Sequence, residues 1–363
     1  MIHNRRKQRL LKCVYVVAGL MVCALTSAAQ KPATQRPDVP SKSASPTNAA
    51  PSTEVRYEAR WDIQPSGVTD QLNSVYFADI NTGWAVGKNN TILKTSDGGK
   101  TWKRVLEREE GGNEFSSVAF TNGNEGWVEG NTILLHSSDG GETWRPASPL
   151  PDLKSLGDGT AVGTTRLQMG KMGTSQRIYK SEDGGTTWTD SDHSAKLTRN
   201  DFETIFALDR QDIWVVGDYG RYALTTDGGA TWKEPQMPVK SMLRKVYFVS
   251  AGVGWILPSD HNGGPLSTKD GGLTWASQYA GAGQNRPLRD IHFVNEHDGF
   301  LLVGSNRPDV VYRTSDGGVK WQTIGQLPEG RTAMSFPAID NGWVVGPAGY
   351  IVHYHLVPVA PGK

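Results

Sequence analysis

Four acidic residues, Asp79, Glu125, Asp298 and Asp340, follow alternating apolar runs by a few residues. A pair of opposed carboxylates is what glycoside hydrolysis requires. All four fall, however, in the turn between a first and a second apolar run, where Asp and Glu accept hydrogen bonds from the turn's own N–H groups. They read as turn formers. His353 and His355 alternate on an extended segment and so share a face, but two imidazoles do not complete a metal site, and they read as a packed or solvated pair. The glycine-rich strings lack the lysine and the strand-to-helix context of a phosphate loop. No metal and no cofactor is expected. What remains is cationic: Arg244, Arg286, Arg289, Arg307 and Arg331, with Arg199 and Lys245 beside them, sit at the starts of apolar runs or in the connections around them. Guanidinium groups brought together recognise carboxylates in a bidentate manner.

The elements that position these residues repeat. One octapeptide recurs six times, at Thr95–Trp102 (TSDGGKTW), Ser137–Trp144, Ser181–Trp188, Thr225–Trp232, Thr268–Trp275 and Thr314–Trp321, the last with Lys320 where the others have threonine. Its aspartates, Asp97, Asp139, Asp183, Asp227, Asp270 and Asp316, are 42, 44, 44, 43 and 46 residues apart. Two glycines in succession permit positive φ at a tight turn, and the Asp side chain can accept the turn's amides. These carboxylates are therefore expected to be structural, since one active site cannot use six copies. Between the octapeptides lies a second element, an alternating run, a turn and a Gly-Trp pair, as in Asn73–Phe77 followed by Gly83-Trp84. Trp127, Trp214, Trp255 and Trp343 share its phase, with Phe300 in the sixth unit and Leu167 in the third replacing Trp. Four strands in about 43 residues make a propeller blade.

The ends of the chain set the blade number. Residues 332–354 repeat the inner pattern but stop without an octapeptide, so a seventh blade lacks its outer strand. Trp61 precedes Phe77 by 16 residues, as Trp232 precedes Phe248 by 16 and Trp102 precedes Phe120 by 18. The spacing predicts an all-β, seven-bladed propeller of four-stranded blades over residues 54–356, closed by residues 55–61 as the outer strand of the last blade, with a tail at 357–363. Upstream, five basic residues and an apolar run within 1–29 read as an export signal, or as an N-terminal anchor if uncleaved. The Pro/Ser/Ala-rich stretch 30–53 reads as a flexible tether. Both cysteines, Cys13 and Cys23, fall in the signal, so no disulfide is expected. The net charge of +1 carries no basic field of the kind a nucleic-acid binder needs.

Six Asp boxes, the Gly-Trp inner strands and the Thr-Trp that ends most boxes make residues 55–355 resemble the photosystem II stability and assembly factor family. The resemblance implies a non-catalytic propeller that holds a protein client, a reaction-centre subunit in photosynthetic relatives, and implies a lumenal, periplasmic or extracellular location. A monomer is expected, with a membrane-protein segment among the conceivable clients and membrane contact only through the N-terminal segment. Sialidases share the Asp box, but their Arg-Ile-Pro string is absent, Arg177-Ile178-Tyr179 being nearest. A carbohydrate-active propeller, binding or hydrolysing glycan, is the other reading. In either case the Asp boxes face one way and the loops joining second to third strands face the other. Arg244, Arg289 and Arg331, four or five residues before the inner-strand Phe, are expected to line the channel mouth on the loop face, with Arg286 and Arg307 at its border.

Overall fold

In five of the seven blades the first apolar run buries its first, fourth and sixth residues, a spacing that simple alternation does not produce. Within Leu72–Phe77 these are Leu72, Val75 and Phe77. A β-bulge between the first and third residues resets the alternation, and it recurs in Phe115–Phe120, Phe202–Ala207, Leu243–Phe248 and Leu288–Phe293. The computed structural model describes residues 57–359 apart from 131, 149–154, 173–174, 191–201, 260–263, 279–285 and 306. The predicted signal, tether and most of the tail lie outside these residues. The described chain falls within the unit Glu54–Lys363 and forms seven antiparallel sheets. Six have four strands. The fourth blade has three, with its outer strand reduced to a single bridge between Leu224 and Lys233.

A repeated aromatic arrangement joins the blades. The second-strand tryptophan of one blade stacks on the inner-strand Phe of the next: Trp84 on Phe120 at 3.6 Å, Trp214 on Phe248 at 3.7 Å, Trp255 on Phe293 at 3.4 Å and Trp343 on Phe77 at 3.5 Å. Phe300 stacks on Phe336 at 3.7 Å in place of the indole. The octapeptide tryptophan then meets the same ring edge-on, as Trp102 meets Phe77. Where a glycine precedes the inner Trp it makes room for that Phe, since a Cβ on Gly83 would lie 2.6 Å from the Phe77 ring. Where the Phe is missing, so is the glycine. Ala207 in the fourth blade faces Ile213, and Ala161 in the third faces Arg166.

The third blade compensates with charge. Arg166 and Glu129 of the second blade form an ion pair with both side chains buried, and Arg166 also donates to Gln168 Oε1 at 2.9 Å. Its guanidinium lies 5.3 Å from the Trp127 ring, and burial pulls its pKa down to about 9. Deleting one partner of such a pair costs about 3 to 5 kcal/mol, because the other is left buried and uncompensated.

Each inner strand also has an edge facing the channel that no strand pairs. In the first, second, fourth and seventh blades, side chains of the preceding blade cap it. The Val118 amide donates to Ser74 Oγ at 3.3 Å, the Ile205 amide to Asp158 Oδ2 at 3.2 Å and the Met334 amide to Asp290 Oδ2 at 2.9 Å. All three acceptors occupy the third position of the inner run. Two positions further, Thr160 Oγ1 accepts from the Ala207 amide at 3.2 Å and Ser335 Oγ from the Phe77 amide at 2.9 Å.

The last sheet takes its outer strand from the other end of the domain. Tyr57–Gln64 pairs antiparallel with Ile351–Pro358, Trp61 opposite Tyr354. Trp61 donates to the Ile324 carbonyl of the sixth blade at 3.0 Å and packs 5.0 Å from the Tyr354 ring. The edge contact with Phe336 is made instead by Tyr354, at 5.8 Å. Gln64 completes the join. In the first, fourth and fifth blades the inner indole donates directly to the first Asp-box glycine of the next blade, as Trp214 does to Gly271 O at 3.0 Å. Trp343 donates instead to Gln64 Oε1 at 3.1 Å, and Gln64 Nε2 donates on to Gly98 O at 2.9 Å.

The Asp boxes are built alike. In the first, Asp97 Oδ1 accepts from the Thr101 amide at 2.9 Å and Oδ2 from its hydroxyl at 2.6 Å, while Thr95 Oγ1 donates to Asp97 and accepts the Gly99 amide. The Thr101 hydroxyl, with that amide, holds the Asp97 carboxyl down to about 2. Asp183, Asp227 and Asp270 are likewise lowered to about 2 by their own threonines, and Asp139 is lowered too. Asp316 has only the Lys320 amide at that place, and the hydroxyl bond is missing.

Two expectations follow for stability. Trp61→Ala removes a half-buried ring and its hydrogen bond, and should cost about 2 to 3 kcal/mol; an unchanged urea midpoint would show that the closing strand contributes nothing. The six box carboxylates have folded pKa values below their unfolded ones, so their contribution is present above about pH 4 and lost between pH 4 and 2. His292 and His353, pushed by burial down to about 4, lose their contribution as pH falls from 6.5 toward 4. Asp158, pushed up by burial to about 6, acts in the opposite sense over the same interval. Melting temperature measured against pH should therefore decline gently from 6.5 to 4 and steeply below 4.

Candidate functional site at the channel mouth

The inner strands surround a channel, and a cavity of about 580 Å³ within it is lined by the inner strands of the first five blades, from Arg244 near one end to Phe120 and Thr121 near the other. Its walls include Asp158, Arg166, Thr204, Arg244, Lys245 and Tyr247. Arg244 occupies the second position of its inner run and is exposed, and its carbonyl accepts from Thr204 Oγ1 at 2.9 Å, which fixes the backbone that carries it. Lys245 pairs with Asp290, which also accepts the Ile291 and Met334 amides, each at 2.9 Å. Its charge is thus largely met within the protein, and Arg244 is the cation turned to solvent. Burial holds the Asp158 carboxyl well above the ordinary range, at about 6, while Tyr247 is pushed up to about 12 and donates to Phe293 O at 3.0 Å.

The predicted arginines do not all converge. Arg289 is exposed at the position equivalent to Arg244 in the next blade, but lies across its own sheet, so that a Cβ on Gly304 would meet its Nε at 2.7 Å. Arg286 is half-buried and donates to the Pro308 carbonyl. Arg307 begins the strand Arg307–Thr314, with its side chain outside the described residues, as is all of Arg199. Arg331 departs from the expectation outright, being only 4% exposed. The reason is register: it stands five residues before its Phe, not four, in the place filled by buried Leu72, Phe115, Phe202, Leu243 and Leu288 elsewhere. It lies 3.6 Å from the Tyr350 ring, and Nε donates to Pro328 O at 3.1 Å. Burial lowers its pKa. Arg331 packs the seam between the last two blades.

The acids that could have served hydrolysis are engaged locally. Asp79 Oδ1 accepts the Asn81 and Thr82 amides at 2.7 and 2.8 Å, Glu125 meets His136 at 2.7 Å, Asp298 pairs with Arg313 at 3.4 Å, and Asp340 accepts from Asn341 Nδ2 at 3.3 Å. They lie on the turns beside the Asp boxes, as the Gly98 amide bonded to Asn81 O at 2.9 Å illustrates. His353 stacks on Trp343 at 4.5 Å and His355 meets Asp62 at 2.7 Å. Among the described residues no three of His, Cys, Asp and Glu group as metal ligands would. No helix among them is long and apolar enough to cross a membrane. Asp158 and Thr204 were not singled out from the sequence, although both are polar residues at the third position of an inner run, the place that faces the channel.

Residues 53–196 match the family model described as Photosynthesis system II assembly factor YCF48. The photosystem II assembly protein Ycf48 of Thermosynechococcus vestitus is 38% identical over 66 residues, 18% of this chain and 19% of that protein. The photosystem II stability/assembly factor HCF136 of Cyanidioschyzon merolae is 39% identical over 80 residues, 20% of this chain and 18% of that one. The chain thus spans less than a fifth of the length of these curated relatives. Among solved structures, YCF48 bound to a D1 peptide superposes with a TM-score of 0.63 at 23% identity, covering 82% of this chain and 96% of that one. YCF48 from Cyanidioschyzon merolae gives 0.64 at 21%, covering 81% and 98%. The GH74 xyloglucanase from Xanthomonas campestris gives 0.62 at 14%, covering 80% and 53%. At these identities the structural likeness is one of fold, and the resemblance read from the repeats stands with it.

Because Arg331 serves packing, Arg331→Glu should cost about 3 kcal/mol through a buried carboxylate placed beside Asp309. Chemical denaturation that leaves the midpoint unchanged would return Arg331 to the surface.

Proposed function

From the likeness to photosystem II assembly factors, we propose that this chain is a non-catalytic, exported scaffold that holds a polypeptide client on its loop face. The observation that carries the proposal is Arg244, a solvent-facing guanidinium with a fixed backbone at the wall of a 580 Å³ cavity, with Arg289 at the equivalent place one blade on. Elsewhere in that ring of positions stand Asn73, Ser116, Glu203 and Thr332, so repeat structure does not demand a cation there. A guanidinium in a partly enclosed site is suited to a carboxylate, and such a contact weakens with salt. The solved relative with a bound peptide supports a polypeptide over a glycan. So do the four candidate acids, which lie on the opposite face, each with a local partner, and form no hydrolytic pair. Export rests on the basic and apolar N-terminal segment.

Charge reversal at both positions, Arg244→Glu with Arg289→Glu, should leave the melting temperature within about 2 °C, since both side chains are exposed. Binding of acidic 15-residue peptides from an immobilised array should fall at least tenfold and lose its salt dependence. Retention of those peptides at unchanged affinity, or retention of xyloglucan oligosaccharides in their place, would overturn the assignment.

A further inference from the structure

A second feature of the loop face is an aromatic residue in a conformation that aromatics avoid. Tyr219 has φ 57° and ψ 32°, inside a two-residue hairpin turn with Gly220 at φ 69°. The equivalent turns hold Asn89-Asn90 in the first blade and Ala348-Gly349 in the last, all at positive φ. Such turns favour Asn and Gly, and a tyrosine there is strained. Packing does not compensate, since Tyr219 is 77% exposed, more than any other large apolar residue described. The turn itself is held firmly. Gly220 N–H donates to Ser241 O at 2.7 Å, and a side chain at Gly220 would run into the Val239 carbonyl.

Beneath the ring is a hollow of about 240 Å³, enclosed between this hairpin and the connection Glu234–Lys240. Its lining combines apolar Phe202 and Met237, 5% and 8% exposed, and Val239 with polar Arg221, Glu234, Gln236 and Lys240. Pro235 and Pro238 fix the backbone of that connection. The hollow is smaller than the roughly 300 Å³ at which small-molecule sites begin, and it suits one bulky apolar side chain. It neighbours the larger cavity, since Phe202 begins the strand whose Thr204 and Ile205 line that cavity with Arg244. Two residues of strand separate the two, about 7 Å at roughly 3.3 Å per residue.

We propose that the Tyr219 hairpin and the hollow below it are a second subsite of the client site, taking a leucine-sized or aromatic side chain of an extended peptide whose acidic residue, two to four positions away, reaches Arg244. The inference rests on the polypeptide-client reading and specifies its ligand. Tyr219 covers the inserted side chain with its ring face, Arg221, Glu234 and Lys240 give the hollow a polar border, and the strained turn holds the ring out in the free protein so that binding has no loop to order.

The test uses fluorescent decapeptides carrying one Asp and one Leu separated by one to six positions, with Tyr219→Gly and Tyr219→Asn as variants whose turns tolerate positive φ. The expected result is a preference for separations of two to four, a loss of at least tenfold in both variants, and melting temperatures equal to or above that of the parent. Parent-like binding by both variants, or indifference to separation, while Arg244→Glu still abolishes binding, overturns this subsite and leaves the client reading standing. If no peptide binds the parent, both fall. Variants that melt lower than the parent would show that the ring stabilises the fold, and would also overturn the proposal.

Discussion

A strand edge that faces a water-filled channel must have its amides paired or leave them exposed, and a propeller has one such edge per blade. Here side chains from the neighbouring blade meet that need in four of the seven blades. Ser74, Asp158 and Asp290 accept amides of the next inner strand from the same position of their own. The choice of acceptor has consequences for charge. A serine does the task neutrally, whereas an aspartate brings a carboxylate into the channel, and Lys245 then answers Asp290. The channel is therefore polar because the backbone requires it, and the same positions that stitch the ring determine what a ligand meets inside it.

The aromatic stacks depend on that spacing and were legible in the sequence to different degrees. The octapeptide and the Gly-Trp pair declared themselves by repetition, and the phase of Trp61 indicated how the domain closes. The glycine of that pair has its reason in the structure: it lies under the Phe six residues before it, and Ala207 with Ile213 shows both members changing together. The β-bulge was not legible, since no residue type marks it. A reader counting simple alternation places Arg331 beside Arg244, when the one-residue offset buries it against Tyr350. Arg289 stands at the second position of its strand, and its lean over Gly304 depends on the missing side chain there. Asp158 escaped notice because its repeat lacks the landmarks that align the others.

The two faces of the domain differ in how much their residues are already committed. On the Asp-box face, carboxylates, hydroxyls and amides satisfy one another within each turn, and little is left to engage a ligand. On the loop face, connections vary from blade to blade, and the third-to-fifth sector combines an exposed guanidinium, a cavity and a strained tyrosine. That asymmetry is what separates scaffold from site in a protein built of near-identical units.

The closing blade draws three strands from one terminus of the domain and one from the other, while every internal unit begins and ends in the same phase. A gene duplication or deletion spanning one whole unit between the first and the sixth would therefore leave the closing contacts in place, because Trp61, Gln64 and Tyr354 meet only the first, sixth and last blades. Ring size becomes a heritable variable that changes in steps of one, limited by how far the stacked rings can fan. The third unit is the exception. Arg166 can be housed only beside Glu129 of the unit before it, so this pair must be copied or lost together, and it anchors one point on the ring around which the others are free to multiply.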